Sequence, residues 1–169
     1  MDDDVLTQLV HIPADTVMLE GMLALPRGAP GVVLFAHGSG RNISGYLEDA
    51  ALYRDLGFSV LLYDYGGYGK STGLPSEARC VADARAMWDY LVETRGIPPG
   101  QIVLAGSSLG GGVTGALAAQ VAPAAVILES TFTSMPDAAR DMLPFIPARW
   151  LCRIQFRTVD IVERLSCPL

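Results

Sequence analysis

LAGSSLGGG (104–112) is the stretch that decides how this chain folds. An apolar run leads into Gly106, and a run of small residues leads out of it. Gly106-Ser107-Ser108-Leu109-Gly110 matches G-x-S-x-G with Ser108 at its centre; Ser107 is not the centre, because position 105 is Ala105. A strand entering and a helix leaving such a pentapeptide form a sharp, strained turn that lifts the serine hydroxyl above a sheet. The flanking glycines, Gly106 and Gly110, leave room for neighbouring backbone. A helix opening at this point also aims N–H groups and its positive dipole end toward developing negative charge. Ser108 is the candidate nucleophile on these grounds. The competing reading, a small-residue turn where a helix lies close on a sheet, is weaker in this strand–turn–helix context.

The segments on either side alternate in the same way. VLTQLVHI (5–12) and VMLEGMLAL (17–25), joined by the turn-prone PAD, predict a hairpin. GVVLFA (31–36), FSVLLYD (58–64), QIVLAG (101–106) and AAVILES (124–130) are short apolar runs of the kind buried on both faces of a parallel sheet. Helices are expected between them. One runs over about 43–56, with Leu47, Ala50, Tyr53 and Leu56 on one face. The clearest covers 76–96, with a stripe of Cys80, Val81, Ala84, Met87, Trp88, Leu91 and Val92 before Gly96. A third runs from Ser108 to about Val121. Strand and helix in alternation demand right-handed crossovers and a mostly parallel, covered sheet. The tail after Thr131 differs: Pro136, Pro144 and Pro147 separate short helical stretches at 148–156 and 159–165.

Composition narrows the function classes. A chain of 169 residues, half of them hydrophobic, makes one domain with a real core. A net charge of -6, with Lys70 as the one lysine, argues against a nucleic-acid surface. The start MDDD lacks a secretory pattern, and the odd cysteine count (Cys80, Cys152 and Cys167, with no C-x-x-C) favours reduced thiols, so a cytoplasmic protein without a metal site is expected. Residues 101–128 carry no charged side chain, but Ser107, Ser108, consecutive glycines and Pro123 break the run, so no membrane span is expected.

A serine nucleophile needs a base, and the sequence holds only His11 and His37. His11 falls on the opening hairpin and reads as a partly buried strand histidine remote from Ser108. His37 opens HGSGRN (37–42), where this architecture supplies a second oxyanion donor. The glycines there, Gly38 among them, let the loop aim a backbone N–H, that of Ser39, at the same point as the N–H of Leu109. His37 itself is read as structural, orienting the loop by a side-chain hydrogen bond. DYGGYGKST (64–72) ends like a phosphate-binding loop, but the glycine required five residues before Gly69 is Asp64, and Pro75 would interrupt the following helix. Nucleotide binding is therefore a poor runner-up.

HGSGRN, DYGGYGKSTGLPSE, GSSLGGG and LESTFTS, in this order and spacing, resemble the α/β-hydrolase superfamily, and within it the depalmitoylase-like relatives grouped with serine-aminopeptidase-type domains. The resemblance runs from about Leu19 to Leu169. It implies a three-layer α/β/α domain with an eight-stranded, mostly parallel sheet, no cofactor, and a small-molecule acyl substrate carrying an ester, thioester or amide. It also implies that Ser108 forms an acyl-enzyme, with Ser39 and Leu109 as oxyanion donors and His37, Gly38, Gly106 and Gly110 in support. Family members carry the triad acid and histidine after later strands. SCPL (166–169) corresponds to the approach to the next strand, so the last strands, their helices and both remaining triad members are expected to lie outside these residues. Glu129, at the end of a strand beside Ser108, stands where some relatives keep their acid. Two further expectations follow. Strand 124–130 becomes an apolar edge open to self-association, and 131–165 is a candidate cap or pocket wall within the single domain. The alternative to a hydrolase is a non-catalytic acyl-binding or interaction module built on the same groove.

Overall fold

The computed structural model of the protein describes residues 5–142 and 154–169. Six strands form one sheet: β1 (Val5–Ala14), β2 (Val17–Pro26), β3 (Val32–Ala36), β4 (Ser59–Tyr63), β5 (Ile102–Ser107) and β6 (Ala125–Glu129). Their spatial order is β1-β2-β4-β3-β5-β6. β1 and β2 are the expected hairpin, and β2 meets β4 antiparallel. From β4 through β3 and β5 to β6 every pairing is parallel. All five residues of β3 and all five of β4 are buried. Strands covered on both faces have no reason to alternate polar and apolar residues, hence the unbroken hydrophobic runs.

The helices are α1 (Leu47–Asp55), α2 (Glu77–Asp89), α3 (Leu109–Ala118), α4 (Met135–Met142) and α5 (Thr158–Val162). α2 begins at Ser76, whose hydroxyl accepts from the Arg79 N–H at 3.1 Å. It buries Cys80, Ala84, Met87 and Trp88 against the face of the sheet formed by Leu34, Leu61 and Leu104. The expected unbroken helix to Gly96 is instead α2 followed by a π turn over Tyr90–Thr94, in which the Arg95 N–H donates to the Tyr90 carbonyl at 3.0 Å. The wider turn widens the helix by one residue and leaves Leu91 fully buried.

α1 lies on the opposite face, over Val33, Phe35, Val60 and Leu62. Only the middle of its expected stripe meets the sheet: Ala50 is buried and the Tyr53 ring stands 6.1 Å from Phe35. Leu47 and Leu56, at the helix ends, are 45% and 65% exposed.

α3 is made almost wholly of small residues and is buried along most of its length. Glycine costs a helix about 1 kcal/mol relative to alanine, and contact explains its use. A β-carbon on Gly110 would run into the Ala36 and His37 carbonyls at the end of β3. The helix can start beside β3 only because that carbon is missing.

Two expectations need correction. His11 is exposed rather than partly buried: its side chain is 60% accessible and its Nε2 lies 3.4 Å from Glu20. The outer edge of β6 is also less bare than a terminal strand would be, since the Val126 N–H donates to the Pro168 carbonyl at 2.9 Å. Ile127 remains 38% exposed there. Most of the helix expected at 148–156 lies outside the described residues, and 154–156 are not helical.

Candidate active site

Parallel strands deliver their carboxyl ends to one rim of the sheet, and the sequence-predicted residues gather there. Ala36 is in register with Gly106, so the loop after β3 and the turn after β5 are neighbours. Ser108 occupies that turn with φ 53 and ψ -117, a conformation that non-glycine residues rarely adopt. It is exposed, and its side chain makes no capping bond to α3. The backbone around it is tied on both sides. The Ser108 N–H donates to the Glu129 carbonyl at 3.0 Å, and its carbonyl accepts from the Gly111 N–H at 3.0 Å and the Thr131 hydroxyl at 2.9 Å. These bonds hold a strained residue in place from the ends of two neighbouring elements.

The 37–40 loop lies alongside. A β-carbon added to Gly38 would sit 3.3 Å from Ser108 Cβ and 2.7 Å from the Tyr46 hydroxyl. The Gly38 N–H is already donated to that hydroxyl at 3.1 Å. Ser39, next along, is exposed. Leu109, first residue of α3, is buried.

His37 is fully buried at the root of this loop. Its Nδ1 is 2.8 Å from the Gly38 carbonyl and its Nε2 is 3.1 Å from Asp64 Oδ1. The second contact is close but makes no hydrogen bond. Asp64 also accepts from the Ile43 N–H at 2.9 Å, and the Tyr65 hydroxyl donates to the His37 carbonyl at 2.8 Å. Tyr46, Tyr65 and Tyr68 surround the imidazole with ring centroids 4.5 to 5.7 Å away. Burial pushes the Tyr65 hydroxyl well above the usual phenol range, so it stays protonated and donating.

The phosphate-loop reading of 64–72 meets a loop in which four N–H donors are already committed within the protein. Gly66 N–H donates to Asp83 Oδ2 at 2.6 Å, Gly67 to the Thr72 carbonyl, Tyr68 to that of Tyr65 and Ser71 to that of Tyr68. Asp83 itself is buried against Arg79 Nε at 2.6 Å. Desolvation raises its pKa above the ordinary 3.8, while the Gly66 N–H and Arg79 pull it down again.

Two hollows meet at Tyr68. One is an open depression of about 570 Å³ lined by Ser39, Arg41, Asn42, Ser44 and Gly67 among others. The other, more enclosed and about 390 Å³, is lined by Tyr68, Pro75, Cys80, Leu109, Ile154 and Phe156 with Ser76 and Glu77. Glu129 is exposed at the end of β6, and its charge ranks behind burial among the causes that raise the Tyr53 pKa. Among the described residues no group of three or more His, Cys, Asp or Glu is placed to hold a metal ion. No helix among them is long and apolar enough to cross a membrane. Sequence reasoning missed Tyr46, Tyr65, Thr131 and the His37–Asp64 pair.

A mostly parallel sheet with a strained serine between β5 and α3 defines the α/β-hydrolase fold, and solved structures agree. An α/β-hydrolase from Vibrio vulnificus superposes with a TM-score of 0.82 at 29% identity, covering 95% of this chain and 60% of that one. Residues 28–161 match the family model described as serine aminopeptidase, S33, and the chain belongs to that family. An uncharacterised protein of Mycobacterium tuberculosis is 36% identical over 142 residues, which are 84% of this chain and 50% of the relative. Protein bem46 of Schizosaccharomyces pombe is 37% identical over 137 residues, 78% of this chain and 46% of its own length. The chain thus spans about half the length of the curated relatives it matches.

Proposed function

We propose that Ser108 is the nucleophile of a hydrolase acting on ester, thioester or amide bonds. The observation that carries this reading is the backbone of Ser108, held exposed at φ 53 at the mouth of α3 with the Gly38 loop against it. Attack of its Oγ on the substrate carbonyl forms an acyl-enzyme, and water then releases the acid. The N–H groups of Leu109 and Ser39 receive the oxyanion. Leu109 qualifies because it opens the helix, and Ser39 because the preceding N–H, that of Gly38, is committed to Tyr46.

Neither histidine of the sequence suits the role of base. His37 is sealed from solvent between Gly38 and Asp64, and His11 sits exposed on the hairpin against Glu20. The proposal assigns the base and its acid to polypeptide outside residues 1–169, in keeping with relatives about twice as long. Without a base, turnover falls by about a million-fold.

A fluorophosphonate probe tests the assignment. Labelling of this chain is expected to be weak, and labelling of a polypeptide extended past Leu169 in its own reading frame to be strong and lost in Ser108→Ala. Rapid Ser108-dependent labelling of the short chain would reveal a base among these residues. Absence of labelling in the extended one would remove Ser108 from the chemistry. The engagement of both histidines elsewhere favours a second reading, a non-catalytic acyl-binding module, which predicts no labelling of either form.

A further inference from the structure

We propose that the outer edge of β1 docks an extended segment of a partner protein in which basic and apolar side chains alternate. The segment adds to the sheet as a further strand beside residues 7–11. This edge lies across the sheet from β5 and β6, and docking there does not involve Ser108.

Backbone direction carries the inference. The Asp64 N–H donates to the Glu20 carbonyl at 2.9 Å, so Glu20 turns its backbone toward β4 and away from β1. Glu20 is opposite His11, and opposed residues of an antiparallel pair either both face each other or both face away. His11 therefore turns its N–H and carbonyl out of the sheet, and alternation does the same for Leu9 and Thr7. Met18 agrees: its N–H and carbonyl are both taken by Thr72, so Pro13 opposite it also faces outward. No hydrogen bond among the described residues uses the outward groups of Thr7, Leu9 or His11. Edge strands are ordinarily guarded by charge, proline or a bulge. Here Pro13 guards one end only. The pairing with β2 runs unbroken, and residues 7–11 read TQLVH, with Leu9 62% exposed.

A wall stands beside this edge. A hollow of about 500 Å³ opens between β1, at His11 and Pro13, and Ala86, Asp89, Tyr90 and Glu93 of α2 and the π turn. A strand laid along the edge directs alternate side chains to the two faces of the sheet. One row meets Tyr90 and the carboxylates, and the other crosses Leu9. Glu93 is exposed and has no cationic partner among the described residues. Asp89 is shared with Arg85 at 2.7 Å, and Asp15 at the end of the hollow stands 3.9 Å from Arg79. Glu93 thus leaves the wall negative, which selects Lys or Arg in the row that faces it. The same charge disfavours a second copy of this chain, because joining two β1 edges would bring together two such walls on chains of net charge -6.

Amide hydrogen exchange, followed residue by residue, tests the proposal. The probe is an acetylated, amidated octapeptide of alternating Lys and Val, and its counterpart carries Glu in place of Lys. At about ten times its dissociation constant the Lys peptide is expected to slow exchange at Leu9 and His11 about tenfold. The Glu peptide should leave both amides unchanged. Leu9→Pro removes the central donor at an edge position where proline is tolerated, and should abolish the protection at His11. Should Leu9→Pro fail to fold, Glu93→Lys still decides, because reversing this exposed charge should weaken the Lys peptide about fivefold. No binding by the Lys peptide, binding that leaves Leu9 and His11 unprotected, or equal binding by both peptides would overturn the proposal. So would protection of those amides without peptide. Protection that grows with protein concentration would give the edge to a second copy, and protection at any concentration in the polypeptide extended past Leu169 would give it to this chain's own continuation.

Discussion

The Nε2 of His37 stands 3.1 Å from Asp64 Oδ1, with both side chains closed off from solvent. Deleting the imidazole opens a void among Tyr46, Tyr65 and Tyr68 and strips the Gly38 carbonyl of its donor, and large-to-small changes at buried sites typically cost about 2–5 kcal/mol. His37→Ala should therefore lower the urea midpoint by an amount equivalent to about 3 kcal/mol or more. Asp64→Ala in the same background should add less than it does alone, because the pair is already broken. A loss below about 1 kcal/mol would show that the loop before Ser108 does not depend on this contact.

The sequence stops one step short of disclosing that pair. His37 and Asp64 each come one residue after a buried strand, and β3 and β4 are adjacent with Ala36 opposite Tyr63. Once adjacency is granted, the two residues must face each other. Adjacency is what periodicity withholds: it fixes which segments are strands, not which strand lies beside which. The elbow at Ser108 was legible because its constraint is local, a strand, a turn and a helix within nine residues. The supports at Tyr46 and Thr131 come from elsewhere in the chain and leave no local mark. The ends of α1 failed for a related reason, since an apolar stripe records which side of a helix faces inward and not how far the covered surface extends.

Gly110 tests how closely α3 approaches the end of β3. Gly110→Ala would drive its methyl into the Ala36 and His37 carbonyls, which are backbone and cannot rotate away. The expected loss is about 2 kcal/mol or more. Gly40→Ala is the control, because a β-carbon there meets nothing within 4 Å. It should change stability by no more than about 0.5 kcal/mol. Thermal unfolding of the two variants side by side measures the difference, and equal effects would mean that the close approach is not enforced.

Cys80 and Cys167 should differ sharply toward alkylation. Burial, and then the nearby Asp83 charge, push the Cys80 thiol up to about 12, and the side chain is only 4% exposed. Near pH 8 about one molecule in ten thousand carries the thiolate that reacts. Cys167 is half-buried near the end of the described chain. Iodoacetamide followed by peptide mass mapping should modify Cys167 while leaving Cys80 intact until the protein is unfolded in urea. Early modification of Cys80 would mean that the wall formed by α2 opens readily.

Ser108 should carry a stability cost for its position. A non-glycine residue held in a sparsely populated backbone region costs about 1–3 kcal/mol, and Ser108 makes no side-chain capping bond to offset it. Ser108→Gly removes the strain, because the missing β-carbon makes φ 53 accessible. The glycine gives back about 0.5–1 kcal/mol in unfolded-state entropy. The net expectation is a gain of about 1 kcal/mol, seen as a higher urea midpoint at unchanged slope. Ser108→Ala keeps the β-carbon and with it the strain, so its stability should stay within about 0.5 kcal/mol of the parent. Both variants lose the hydroxyl and should be equally blind to a fluorophosphonate in the extended polypeptide. Only a conformational cost at this residue separates the two in stability while leaving them identical in chemistry. A glycine variant less stable than the alanine variant by about 0.5–1 kcal/mol, the entropy cost alone, would mean that the turn holds Ser108 without strain.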